Sequence, residues 1–87
     1  MSLEKKFFVA ADRVREFTKK MSKEDWLLIY GLYKQASEGD ITRGAPSMGD
    51  YQGRAHFIAW NDLKGMDQTL AMKKYVECVE QISEKYM

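Results

Sequence analysis

Residues 22–39 read SKEDWLLIYGLYKQASEG, and their reading sets the architecture of the chain. Ser22, with Asp25 three residues on, reads as an N-cap followed by an acidic first turn. Gly39 is a natural helix stop. At about 100° per residue, Leu28, Ile29, Leu32 and Ala36 fall on one side. Packing on other helices explains that aliphatic face. Trp26, Leu27, Tyr30, Tyr33, Lys34 and Ser37 fall on the opposite side. A water-facing surface does not usually carry a tryptophan and two tyrosines beside a lysine.

Helices are also expected on both sides of this segment. Before it, Phe7, Ala10, Ala11, Val14 and Phe17 follow three-and-four spacing, which predicts a helix from about Leu3 to Thr18. After it, Gly39 to Tyr51 carries Gly39, Gly44, Pro46 and Gly49 and reads as a loop. At about a dozen residues it is longer than most helix connections, and such loops are often functional. It is also long enough for a crossover, so the second and third helices need not be antiparallel neighbours. Asp50 is expected to cap a third helix that ends at Leu63 to Lys64 before Gly65. Asp67 is expected to cap a fourth, with Ala71, Met72, Tyr75, Val79, Ile82 and Tyr86 as one stripe. The expected fold is all-α, a four-helix bundle with one long connection.

Composition bounds the function. With 87 residues there is room for one domain, expected to span 1–87. A net charge of +1 argues against a general nucleic-acid binder while leaving room for a local basic pocket. Cys78 is the only cysteine, so an internal disulfide or a cysteine metal cluster is excluded. It reads as a packing residue of the fourth helix. Neither a secretory leader nor a membrane-spanning apolar run is visible. The expectation is a soluble, cytoplasmic protein, and its nearly neutral surface fits a monomer.

The aromatic side of residues 22–39 suits a ligand that is both flat and anionic. A ring stacks on a base, while a tyrosine hydroxyl and an ammonium bind phosphate. Trp26 and Leu27, one turn earlier, suit a hydrocarbon chain. The combined preference is for a nucleotide joined to a lipid. Packing of Tyr30 and Tyr33 against the far side of the bundle explains the same residues, and the residues alone leave both readings open.

A family resemblance adds the ligand. The stretch YGLYKQA at 30–36 followed by Gly39 and Asp40 resembles the signature of the acyl-CoA-binding proteins. So do Ala59, Trp60 and Asn61 followed by Leu63, Lys64 and Gly65. Ala71, Met72 and Tyr75, the closing Lys85 and Tyr86, and the Phe7 to Ala11 segment fall at the family's spacing. The resemblance runs along essentially the whole chain without a gap. It implies an up-down-down-up bundle that binds, buffers and transports medium- and long-chain acyl-CoA esters.

By the same resemblance, the ligand-binding set is Arg15, Tyr30, Gly31, Leu32, Tyr33, Lys34, Gln52, His56 and Tyr75. Tyr30, Lys34 and His56 should hold the 3′-phosphate of the CoA adenosine. Tyr33 should stack on adenine, with Arg15, Ala10 and Ala11 lining the site from the first helix and Tyr75 completing it. Trp26 and Leu27 should lie along the acyl chain. Where the first and fourth helices meet, the family's structural set maps to Phe7, Ala11, Val14, Phe17, Tyr75, Val76, Val79 and Ile82. No cofactor is implied. The implied partners are long-chain acyl-CoA and the enzymes that produce or consume it, with transient contact to a membrane surface.

The chain departs from the family at the pocket. Gln52 and His56 stand where lysine is usual, and Phe57 stands where tryptophan usually follows. A neutral side chain gives phosphate a weaker contact than an ammonium. Arg54 is a nearby cation, but it does not share a helical face with His56. If His56 meets phosphate, affinity should rise as pH falls through about 6.5. The other reading of His56 is a partly buried ring hydrogen-bonded beside Trp60.

An enzyme is not expected, because one histidine and one cysteine form no nucleophile-and-base pair. The rival to a carrier is a helical protein-interaction module that has lost or weakened its ligand.

Overall fold

The computed structural model describes residues 2–87. The helices are α1 (Leu3–Arg15), α2 (Lys23–Glu38), α3 (Tyr51–Asn61) and α4 (Gln68–Tyr86), with no strand among the described residues. Each begins on a side-chain cap that satisfies orphan amides of the first turn. Ser2 accepts from Lys5 N at 3.2 Å, and Ser22 from Asp25 N at 3.2 Å. Asp50 accepts from Gly53 N at 2.9 Å, and Asp67 from Thr69 N at 2.9 Å. The expected caps at Ser22, Asp50 and Asp67 all stand. Gly39 closes α2 at φ 82°, a left-handed conformation that glycine adopts without strain.

Two helices stop earlier than their periodicity suggests. α1 ends at Arg15 rather than Thr18 because the amides of Thr18 and Lys19 are drawn to the carbonyl of Tyr86, at 2.8 and 3.2 Å. Phe17 leaves the helix to stack on the Tyr86 ring at 5.6 Å. α3 ends at Asn61 rather than Leu63 to Lys64. Its exit winds tighter: Leu63, Lys64 and Met66 each donate to the carbonyl three residues back. The amide of Gly65, at φ 94°, turns instead to Asp40 Oδ1 at 2.8 Å.

The contacts fix the chain directions. Phe7 meets Tyr75 and Phe17 meets Tyr86, so α1 and α4 run parallel. Asp25 meets Tyr86 while Ala36 meets Gln68, so α2 runs against α4. Trp26 meets His56 and Lys34 meets Trp60, so α2 and α3 run parallel, and the 39–50 connection is a crossover. The order is up-down-down-up. α4 packs on both α1 and α2, whereas α3 packs on α2. The resulting slab measures 39 × 29 × 15 Å.

The core joins Phe7 and Ala10 of α1, Ile29, Leu32 and Ala36 of α2, and Ala71, Tyr75, Cys78, Val79, Ile82 and Tyr86 of α4. Ala11, Val14, Phe17 and Met72 pack against it, as their spacing predicts, and so does Val76, as the resemblance implies. Leu28 does not join. It is 52% exposed, although its wheel position matches that of Leu32. The α3–α4 turn, with Leu63 and Met66, covers this line of α2 only farther along, so one turn earlier nothing overlies Leu28. The same line ends in Gln35, which is fully buried. Its Nε2 donates to Asp40 Oδ1 at 2.9 Å and to the Met66 carbonyl at 2.8 Å, tying α2 to the start of the long loop and to the α3–α4 turn. That Asp40 carboxyl is held below the ordinary carboxylate range, chiefly by the Gly65 amide and then by Gln35.

Candidate functional site

The aromatic side of α2 lies between α1 and α4 on one side and α3 on the other. Along α2 the side chains alternate between these sides because their wheel positions differ. Tyr33 leans toward α1 and α4. Its ring stacks on Phe7 at 5.5 Å and stands 5.8 Å from Tyr75. Tyr33 keeps 39% exposure, so one side of the ring remains open. Tyr75 lies beneath at 3% exposure. Burial, then the proximity of Tyr33, pushes its phenol up to about 12, while Arg15 opposes the shift. Tyr75 is therefore a neutral hydroxyl at any physiological pH. Arg15 itself is exposed, loosely paired with Asp12 at 3.8 Å.

Tyr30 leans the other way, toward α3. Its ring lies 4.6 Å from the imidazole of His56. The indole Nε1 of Trp26 donates to His56 Nε2 at 3.1 Å. In that bond Nε2 is the acceptor, a role only a nitrogen without a proton can fill. His56 is half-buried and lines one cavity with Trp60, and the hydrogen-bond partner of its ring is Trp26 of α2. Lys34 lies one turn beyond Tyr30. Its ammonium is 5.3 Å from the Trp60 ring centre and bonds Glu38, which lowers the Glu38 carboxyl. Gln52 sits exposed on the first turn of α3. Leu27 is half-buried beside the open Trp26.

Four sequence-derived positions also lie in packing contacts. Leu32 points into the core at 5% exposure. Gly31 lies against α3, where a Cβ would come within 2.6 Å of the Ala59 carbonyl oxygen. Its missing side chain lets the two helices approach and so sets where His56 stands relative to Tyr30. Ala10 lines a different groove, of about 470 Å³, between the outer flanks of α1 and α4. Ala11 packs on the core. That groove is lined by no tyrosine.

The sequence reading passed over two contributors. Trp60 is buried with its Nε1 donating to the Gly39 carbonyl at 2.9 Å, which pins the start of the long loop. Arg43, from that loop, holds its guanidinium 5.1 Å from the same indole. With Tyr30, His56 and Trp60, Arg43 lines a cavity of about 240 Å³. Arg43 carries no periodic signal, because loop residues have none. Arg54 is turned away: its Nη1 donates to the Pro46 carbonyl at 3.0 Å and holds the loop.

A flat helical bundle with an open aromatic face, rimmed by Arg15, Lys34 and Arg43, defines a class: a binding domain for a ligand with flat and anionic parts. Comparison with known proteins gives the family. The family model described as acyl CoA binding protein matches residues 4–79. An acyl-CoA-binding protein of Dictyostelium discoideum is 44% identical over 80 residues, covering 92% of this chain and 95% of that one. An acyl-CoA-binding protein homolog of Drosophila melanogaster is 39% identical, with 92% and 93% covered. The crystal structure of Oryza sativa acyl-CoA-binding protein 2 superposes with a TM-score of 0.91 at 34% identity, covering 97% of this chain and 93% of that one. The chain belongs to the acyl-CoA-binding protein family.

Proposed function

We propose that this protein binds medium- and long-chain acyl-CoA thioesters and carries them without reacting on them, residues 1–87 acting as one binding domain. The supporting observation is the open face that joins Tyr33 and Tyr75 at one edge to Tyr30, Lys34 and His56 at the other. On this reading Tyr33 stacks adenine on its free side, with Arg15 and Tyr75 closing that edge. Tyr30, Lys34 and His56 take the 3′-phosphate, with Gln52 a neutral contact beside them. Trp26 and Leu27 line the acyl chain. The reading places the carrier in the cytoplasm, serving enzymes that make or use acyl-CoA. Family membership disfavours a pure interaction module, and packing leaves Tyr33 exposed and Tyr30 only half-buried.

Calorimetric titration with palmitoyl-CoA, free CoA and free palmitate tests this. The ester should bind far more tightly than either fragment, and Tyr33→Ala should weaken it by about 5- to 150-fold, since base–aromatic stacking contributes about 1–3 kcal/mol. No binding of the ester by the unaltered protein would end the carrier reading.

A further inference from the structure

The face that would meet the 3′-phosphate is short of charge. Gln52 is neutral, and His56 is neutral while it accepts from Trp26. Arg54 is committed to the Pro46 carbonyl. Lys34 is shared with Glu38. A phosphate monoester dianion held by one shared ammonium is poorly compensated.

A second cation is nevertheless present at the same indole. Ile41, buried at 8% exposure, anchors the crossover loop two residues before Arg43. The Gly39 carbonyl is fixed by Trp60. These anchors hold Arg43 over the Trp60 ring at 5.1 Å, with Lys34 at 5.3 Å from the same ring centre. Both cations also act on Glu38, whose carboxyl is lowered first by Lys34 and further by Arg43. Attraction to an indole ring occupies none of the guanidinium's N–H groups, so the fork stays available for an anion. The edge is the part that binds a phosphate in bidentate fashion. Asp50, the carboxylate in the same cavity, accepts from the Gly53 amide in capping α3.

We infer that Arg43 is a ligand-binding residue of this protein, taking the 3′-phosphate of CoA together with Lys34 in place of the lysines usual on α3. The charge has moved from a helix to the crossover loop, while the recognised group is unchanged. This inference rests on the acyl-CoA reading above.

The test pairs two ligands with two variants. Palmitoyl-CoA and its 3′-dephospho analogue are titrated against the unaltered protein, Arg43→Gln and Arg43→Lys. Arg43→Gln should lose about tenfold in affinity for palmitoyl-CoA and nothing for the dephospho ester, because one charge-assisted contact is removed. Arg43→Lys should fall between, keeping charge without the fork. Thermal unfolding of each variant should match the unaltered protein, since Arg43 is exposed. Equal affinities of Arg43→Gln and the unaltered protein for palmitoyl-CoA would overturn the inference and leave the carrier reading intact. An equal loss for both esters would overturn it too, placing Arg43 on another part of the ligand. Failure of the unaltered protein to bind either ester would sink both readings together.

Discussion

His56 occupies two roles that compete. Its Nε2 accepts from Trp26, which holds only while the ring is neutral. On the proposed reading, a bound 3′-phosphate would compete with the indole for that ring. Losing a neutral hydrogen bond costs about 0.5–1.5 kcal/mol, whereas a contact to a charged group contributes about 1.5–3 kcal/mol. His56→Ala should therefore weaken binding of palmitoyl-CoA several-fold and leave its 3′-dephospho analogue unaffected. Equal affinities of the variant and the unaltered protein for palmitoyl-CoA would show that the imidazole stays with Trp26 when ligand binds.

Among the elements, the α2–α3 pair carries the most precise requirement. Alanine is ordinarily better than glycine inside a helix by about 1 kcal/mol. At position 31 the added methyl would meet the Ala59 carbonyl oxygen at 2.6 Å and its carbon at 3.0 Å. These are backbone atoms, so only a shift of α3 relieves the clash, and overpacking of this kind costs about 1–3 kcal/mol. Gly31→Ala should therefore lower the urea midpoint and weaken palmitoyl-CoA binding, since α3 carries His56 and Gln52. A raised midpoint would mean that helix propensity outweighs the close approach.

How far the sequence discloses these elements depends on where each signal resides. The caps at Ser22, Asp50 and Asp67 are local, and so were readable from neighbouring residues. The early ends of α1 and α3 were not, because the groups that draw those amides away are Tyr86 and Asp40, distant in sequence. The helical wheel placed Tyr30 and Tyr33 together on one face. It misjudged Leu28 and passed over Gln35, because a wheel records direction and not whether anything lies overhead at that height. Arg43 lay outside any periodic reading. Its place depends on Ile41, Gly39 and Trp60 holding the loop.

At the scale of the molecule, one end of the slab is closed by ionisable groups. Tyr86 donates to Asp25 at 2.6 Å, Ser22 N donates to Tyr86 at 3.1 Å, and Lys85 lies 3.4 Å from Asp25. The Asp25 carboxyl is lowered, first by the Tyr86 hydrogen bond and then by Lys85, against a burial effect that raises it. A lowered carboxyl contributes stability that is complete above the ordinary value of about 4 and lost as pH falls through the folded value. The melting temperature should drop on acidification below about pH 4, and Asp25→Asn should melt lower at neutral pH with a shallower acid slope. Parallel slopes for the two proteins would assign the acid loss to other carboxylates, such as Asp40.

The placing of α4 has a consequence for biogenesis. It is the shared partner of α1 and α2, and it is the last helix in sequence. On the ribosome, the apolar faces around Phe7 and Ile29 emerge before the surface that covers them has been synthesised. α3 offers α2 only its opposite flank. Closure of the core must therefore wait for the Tyr75 to Ile82 stretch, and until then the nascent chain presents an unmated hydrophobic surface that a holding chaperone would recognise.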